Sequence, residues 1–119
     1  MLKLMIVDDS AIIRRKIERS CLGSKFEVVG TAKNGKEAID IFEQTKPDVI
    51  TMDLTMPEMD GIACVELIKR CRPQTNILVV SALADIETGI LALEKGARGF
   101  LCKPFKDEEL VSALEELME

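Results

Sequence analysis

The sequence predicts a single α/β domain built on a doubly wound parallel sheet, with five strands and five helices. Short apolar strand patterns alternate with helix patterns along the whole chain, and the connections between them are short. Several apolar runs are continuous rather than alternating, which is typical of parallel strands covered by helices on both faces. At 119 residues the chain is long enough for one core but not for two, so we expect one domain over residues 1–119.

Five apolar segments are the predicted strands. The third is the organising one, because it ends on Asp53 and leads into a loop interrupted by Pro57 and Gly61. Right-handed crossovers between successive strands would place helices on both faces of the sheet. The predicted strands are Leu2–Val7, Phe26–Ala32, Val49–Met52, Ile77–Val80 and Gly99–Cys102.

Apolar residues at helical spacing predict a helix after each strand. Gly23 and Gly96 are expected to end the first and fourth helices, and Asn34 is placed to cap the second. The fifth helix is expected over 106–119. The residues expected to face the core are Ile13, Ile17 and Cys21; Ala38, Ile41 and Phe42; Ile62, Val65 and Ile68; Ile86, Ile90 and Leu93; and Leu110, Leu114 and Leu117.

Composition excludes several classes of function. The net charge of -5 and the lack of a basic run argue against nucleic acid or an anionic membrane as a direct partner. No apolar stretch approaches the roughly 18 residues needed to span a bilayer, and we expect a cytoplasmic protein. The chain has no histidine and its four cysteines form no CxxC pair, which argues against a zinc site. We expect all four cysteines to be buried and reduced.

Polar side chains follow four of the predicted strands at the point where each strand ends. They are Asp8 with Asp9, then Asp53, Ser81 and Lys103. A parallel sheet would gather them at one edge, where ligands bind in folds of this class. Carboxylates about 4 Å apart repel by roughly 4 kcal/mol at an effective dielectric constant near 20, so the three acids call for a cation. An all-oxygen pocket favours Mg²⁺, and Ca²⁺ less, because the alternating oxygen donors of a calcium loop are missing.

A magnesium ion beside a carboxylate and a lysine is typical of phosphoryl-transfer sites. Aspartate can be the nucleophile there and form an acyl phosphate. Lys103 would supply a second cation, and Ser81 would donate a hydrogen bond to a phosphoryl oxygen. Each residue alone also has a structural explanation, since strand-end acids often cap helices and Lys103 could be a solvated loop lysine.

Four motifs resemble the receiver domain of two-component response regulators. They are VDDS at 7–10, MDLTMPEMDG at 52–61, SA at 81–82 and GFLCKPF at 99–105, and they occur in the family's order over the whole chain. The chain's length is similar to that of single-domain chemotaxis receivers. The resemblance implies a flavodoxin-like sheet with strand order 2-1-3-4-5. It also implies a cis bond between Lys103 and Pro104.

The resemblance also implies a role for each site residue. Asp53 would accept the phosphoryl group, and the donor must be a partner histidine kinase because the chain has no histidine. Asp9 would bind Mg²⁺ directly, Asp8 would position it, often through water, and the carbonyl of Thr55 would complete the protein ligands with Asp53. The switch residues would be Ser81, which holds the phosphoryl group, and Phe100, which changes rotamer as Ser81 moves. Lys103 would pair with the phosphoryl group.

Some positions depart from the family pattern. Phe100 lacks the hydroxyl of the tyrosine often found there, and Thr55 and Leu83 occupy positions that tune loss of the phosphoryl group. Because Leu83 cannot orient a water, we expect a long-lived phosphorylated form.

The expected function is a phosphorylation-activated switch that changes its binding to a downstream protein through the fourth helix, fifth strand and fifth helix. Its only catalysis would be its own phosphorylation and dephosphorylation, and a phosphatase is a further candidate partner. A phosphorelay intermediate or phosphate sink is the alternative. A Mg²⁺-dependent phosphatase with an aspartate nucleophile is disfavoured, because Thr55 stands where its second aspartate belongs. A flavin or nucleotide binder is disfavoured because Asp8 and Asp9 would repel phosphate.

Overall fold

The computed structural model describes residues 1–54, 61–82 and 86–119. Three positions named above, Thr55, Pro57 and Leu83, lie outside these residues. The roles predicted for them therefore stay predictions from the sequence.

Five parallel strands form one sheet in the order β2-β1-β3-β4-β5. The strands are β1 (Leu2–Val7), β2 (Phe26–Ala32), β3 (Val49–Met52), β4 (Asn76–Ala82) and β5 (Gly99–Lys103). The helices seen in the described ranges are α1 (Ala11–Ser20), α2 (Gly35–Thr45), α3 (Gly61–Cys71), α4 (Ile86–Glu94) and α5 (Asp107–Leu117). The predicted fold class, strand order and alternation of elements are confirmed.

The sheet separates two apolar layers. In β1, Met5 and Val7 join the layer that includes residues of α2 and α3, while Leu4 and Ile6 join the layer with α1 and α5. All four side chains are at most 1% exposed. This two-sided burial explains why β1 is a continuous apolar run rather than an alternating one.

Side chains cap two of the helices as their residue types favour. The Asn34 side chain accepts a hydrogen bond from the backbone N–H of Glu37 at 2.9 Å, which confirms the predicted cap of α2. At α1, the Ser10 hydroxyl accepts from the backbone N–H of Ile13 at 3.3 Å. The Ser10 cap fixes the start of α1 directly after Asp8 and Asp9.

The predicted inward face of α4 is wrong. Ile86, Ile90 and Leu93 are 47%, 53% and 42% exposed, and the buried residues of this helix are Gly89 and Ala92. Only small side chains fit beneath α4, because the ring of Phe100 already fills the space under Gly89. The bulky side chains consequently lie on the outer face of the helix.

The cysteines are all free, but they are not all buried. Cys21 and Cys64 are buried, and burial raises the pKa of each thiol to about 11. Cys102 is half-buried, and Cys71 is exposed because it is the last residue of α3. The prediction of burial is therefore wrong for Cys71. Among the residues that the structure describes, no helix is long and apolar enough to cross a membrane.

Candidate functional site

The carboxyl ends of the parallel strands bring the predicted site residues to one edge of the sheet. Val7 of β1 lies beside Met52 of β3, so the residues that follow them, Asp8 and Asp53, are also adjacent. The backbone N–H of Asp53 donates to the carbonyl of Val7 at 2.9 Å, which continues the strand pairing to the site itself. On the other side of β3, Ala82 at the end of β4 pairs with Lys103 at the end of β5.

Three carboxylates form an acidic cluster at this edge: those of Asp8, Asp9 and Asp53. One oxygen from each lies within 4.8 Å of the others. Asp8 and Asp53 are each 1% exposed, whereas Asp9 is exposed. The acidic cluster therefore has a buried floor of two carboxylates and one carboxylate at its solvent side.

Lys103 is the cation that faces the acidic cluster from β5. Its Nζ lies 2.8 Å from an oxygen of Asp8 and 3.8 Å from an oxygen of Asp53. The lysine side chain is 21% exposed, so these ion pairs are only partly screened by water. The lysine is therefore closer to Asp8 than to Asp53.

The charges at the site do not balance. Burial raises the pKa of the Asp8 carboxyl above its ordinary value, and the negative charge of Asp53 adds to this. Hydrogen bonds from Lys103 and from the backbone N–H of Ser10, the latter at 2.9 Å, act in the opposite direction but do not cancel the effect of burial. The fold thus stabilises ionised Asp8 less well than water does, and a further positive charge at the site would counteract this.

The donor set of the acidic cluster fits a hard divalent cation. All three side chains offer carboxylate oxygens, and no histidine or thiolate takes part. Such a set suits Mg²⁺, which binds one or two carboxylates and keeps several waters. A cation at this position would also offset the negative charge that remains when three carboxylates face one lysine.

Ser81 and Phe100 lie on the face of the sheet that α3 and α4 cover. Ser81 is fully buried and pairs with Cys102, while Phe100 pairs with Val79 two residues earlier. Side chains two apart on a strand share a face, so the ring of Phe100 and the hydroxyl of Ser81 lie on the same face of the sheet. The bond between Lys103 and Pro104 is cis, as the resemblance implied.

Two basic residues of α1 that the sequence reasoning missed donate hydrogen bonds to backbone carbonyls at or near site residues. The Arg14 guanidinium donates to the backbone carbonyl of Asp8 at 2.6 Å. The Lys16 ammonium donates to the carbonyl of Phe105 and lies 4.7 Å from the centre of its ring, a cation–π contact. Both point toward the sheet from the first turns of α1, which the Ser10 cap could have indicated.

Comparison with known proteins decides the family. The model of the response regulator receiver domain family matches residues 4–115. This chain belongs to that family. Its curated relatives include the chemotaxis protein CheY of Listeria monocytogenes, 40% identical over 116 residues that cover 98% of both chains. CheY of Thermotoga maritima is 38% identical over 115 residues, covering 97% of this chain and 96% of that one.

Solved receiver structures agree with the fold. The CheX–CheY–BeF3–Mg²⁺ complex of Borrelia burgdorferi contains a chain that superimposes with a TM-score of 0.92 at 28% identity, covering 99% of this receiver and 90% of that chain. The response regulator domain of Thermotoga maritima CheB gives a TM-score of 0.89 at 34% identity, with 99% and 96% coverage. The chain is therefore a receiver domain of the CheY type and a protein of two-component signalling.

Proposed function

We propose that this receiver domain is a switch that Asp53 operates by accepting a phosphoryl group from a phosphohistidine of a partner kinase. The observation that carries the proposal is the acidic cluster with Lys103 beside it, at the edge where four strands end. Asp53 is the nucleophile because it follows β3, the middle strand of the sheet, and its buried carboxylate lies near both Asp8 and Lys103. The donor is a partner because the chain contains no histidine.

Phosphoryl transfer to Asp53 forms one bond to phosphorus and breaks another. A carboxylate oxygen of Asp53 forms a bond to phosphorus, and the bond from phosphorus to the histidine nitrogen breaks, so that the product is an acyl phosphate and the donor imidazole leaves. A bound Mg²⁺ supplies neutralisation of the phosphoryl oxygens. We assign its direct protein ligands to Asp9, Asp53 and the carbonyl of Thr55, with Asp8 as the positioning carboxylate.

Lys103 and Ser81 bind the negatively charged phosphoryl group after the transfer. Lys103 already lies 3.8 Å from Asp53, so a small movement from Asp8 lets its ammonium pair with a phosphoryl oxygen. Ser81 is buried at the adjoining strand end, and its hydroxyl donates to another phosphoryl oxygen. Both interactions are stronger after transfer than before it, which gives phosphorylation a means to shift the conformation.

The outer face of α4 is the surface that we assign to the downstream protein. Ile86, Ile90, Leu91 and Leu93 are each between 41% and 53% exposed, and we call these four residues the apolar face of α4. Exposed apolar side chains concentrated on one helix are typical of protein interaction sites. α5 packs against β4 and β5, and its acidic residues would favour a partner with basic residues around an apolar centre.

A phosphorylation assay tests the proposal directly. The protein is incubated with acetyl phosphate and Mg²⁺, and its intact mass is measured. We expect one added phosphoryl group on the wild-type protein and on Asp40→Asn, a matched change at an exposed aspartate of α2, and none on Asp53→Asn. Chelation of the metal should prevent labelling. Full labelling of Asp53→Asn, or none of the wild-type protein, would contradict the proposal.

A further inference from the structure

Gly89 occupies the middle of α4 and is buried directly against the ring of Phe100. A Cβ atom built at Gly89 would lie 2.5 Å from Cδ2 and 3.3 Å from Cζ of that ring, and closest to Cε2. Carbon atoms that are not bonded pack best at about 3.5–4.0 Å. The ring of Phe100 therefore occupies the space that any other side chain at position 89 would need.

Neither the helix nor its backbone conformation explains this glycine. Glycine is among the least favourable residues in a helix interior, and every other described residue of α4 has a side chain. The described glycines with positive φ are Gly23 and Gly96, and Gly89 is not one of them. The contact with Phe100 is thus the feature of the structure that requires glycine at position 89.

The contact lies between the phosphorylation site and the surface of the protein. On its inner side, the ring of Phe100 shares a face of the sheet with Ser81, which lies across the β4–β5 pairing. On its outer side, α4 presents Ile86 and Ile90 to solvent. Any movement of the ring against Gly89 bears on the helix backbone itself, because no side chain lies between them.

We propose that Gly89 is the positioning residue that couples Phe100 to α4, and through it Ser81 to the apolar face of α4. The inference rests on the proposed phosphorylation of Asp53. Gly89 lets the ring pack directly under the helix, so that a change in the position of the ring requires a change in the position of the helix. A methyl group at position 89 expels the ring from this place or lifts α4 from the sheet, and in either case the coupling changes.

A thermal double-mutant cycle tests the packing. Gly89→Ala should lower the Tm of the wild-type protein, although alanine is the better helix former. In a Phe100→Ala background the same change should raise the Tm, because the ring no longer fills the space. Thr88→Ala, at the neighbouring position of α4, is the control and should not lower the Tm. A change in Tm of the same sign on Gly89→Ala in both backgrounds would overturn the inference. Phe100→Val replaces Phe100→Ala if that variant does not fold.

A binding measurement tests the coupling. Beryllofluoride with Mg²⁺ serves as the probe for the phosphoryl group, and its affinity is followed by calorimetry. We expect Gly89→Ala to weaken binding by at least about fivefold, the lower end of coupling between distinct sites, and Thr88→Ala to leave it unchanged. Unchanged affinity in Gly89→Ala would refute the coupling.

The two proposals fail in different ways. If the wild-type protein bound no beryllofluoride, the proposed phosphorylation of Asp53 would be wrong, while the thermal cycle would still report on the packing of Phe100. If the wild-type protein bound it and the Tm changes of Gly89→Ala had the same sign with and without the ring, only the role of Gly89 would be wrong.

Discussion

Replacing Lys103 with methionine removes the positive charge that faces two buried carboxylates. Its ammonium lies 2.8 Å from Asp8 and 3.8 Å from Asp53. At an effective dielectric constant near 20 these distances correspond to attractions of about 6 and about 4 kcal/mol. The repulsion that remains between Asp8 and Asp53, whose oxygens lie within 4.8 Å, is about 3.5 kcal/mol or more on the same scale.

The net loss of stability is smaller than these terms, because bringing the lysine to the site also costs desolvation. Removing one partner of a buried ion pair typically costs about 3–5 kcal/mol. Since Lys103 is 21% exposed, the lower end applies, and we expect Lys103→Met to cost about 3 kcal/mol without metal. An unfolding entropy of about 2.1 cal/mol/K per residue converts this to a Tm about 12 °C lower.

The assay is thermal unfolding at neutral pH in a chelator, with Lys36→Met as the control at an exposed lysine of α2. Millimolar Mg²⁺ should recover part of the loss in Lys103→Met, because it supplies a positive charge to the same carboxylates. Lowering the pH should also narrow the gap in Tm, since the raised pKa of Asp8 lets this carboxyl become protonated and removes its charge. A Tm for Lys103→Met equal to that of Lys36→Met would show that Lys103 does not stabilise the buried carboxylates, and would refute this reasoning.

Three further predictions concern the same region. Because the pKa of Asp8 is raised in the fold, the metal-free protein should lose stability as the pH rises from the ordinary carboxyl pKa of about 4 through the pKa of the folded state. When the free energy of unfolding is measured with urea at several pH values, Asp8→Asn should remove this decrease. Mg²⁺ should raise the wild-type Tm through preferential binding to the folded state; a response retained in full by Asp9→Ala would exclude Asp9 as a direct ligand. The buried hydroxyl of Thr51 has no hydrogen-bond partner in the described structure, so Thr51→Val should raise the free energy of unfolding by about 1 kcal/mol, and a decrease would show that the hydroxyl is satisfied.

Local sequence patterns were sufficient to predict the sheet. Leu4 to Val7 and Val49 to Met52 are apolar at every position or nearly so, because both faces of these strands are covered, and the polar residue that follows each run marks its carboxyl end. Parallel topology then brings Asp8, Asp53 and Lys103 together regardless of their separation along the chain. The grouping of these side chains could be predicted because they stand at the ends of strongly patterned elements.

The face of α4 could not be predicted from the same reasoning. Its apolar residues occur around most of the helix, and spacing alone favoured Ile86, Ile90 and Leu93 as the buried set. The structure buries Gly89 and Ala92 instead, because a ring from β5 takes the space beneath the helix. That choice depends on a contact between two elements, which helical periodicity does not contain.

The partners of the basic residues were also beyond local reasoning. Lys16 contacts Phe105 across 89 positions of the chain, and Lys103 lies nearer to Asp8 than to Asp53. Both facts depend on how α1 and β5 are placed against the edge of the sheet. The sequence indicated which groups meet there but not which pairs come closest.

Locating the phosphoryl group within the chain is the most direct test of the central claim. Borohydride reduces an acyl phosphate of aspartate to homoserine, so the protein is phosphorylated with acetyl phosphate and Mg²⁺, reduced, digested and sequenced by mass spectrometry. The account predicts homoserine at position 53 and aspartate at positions 8 and 9. Homoserine at position 8 or 9, with aspartate retained at position 53, would contradict it.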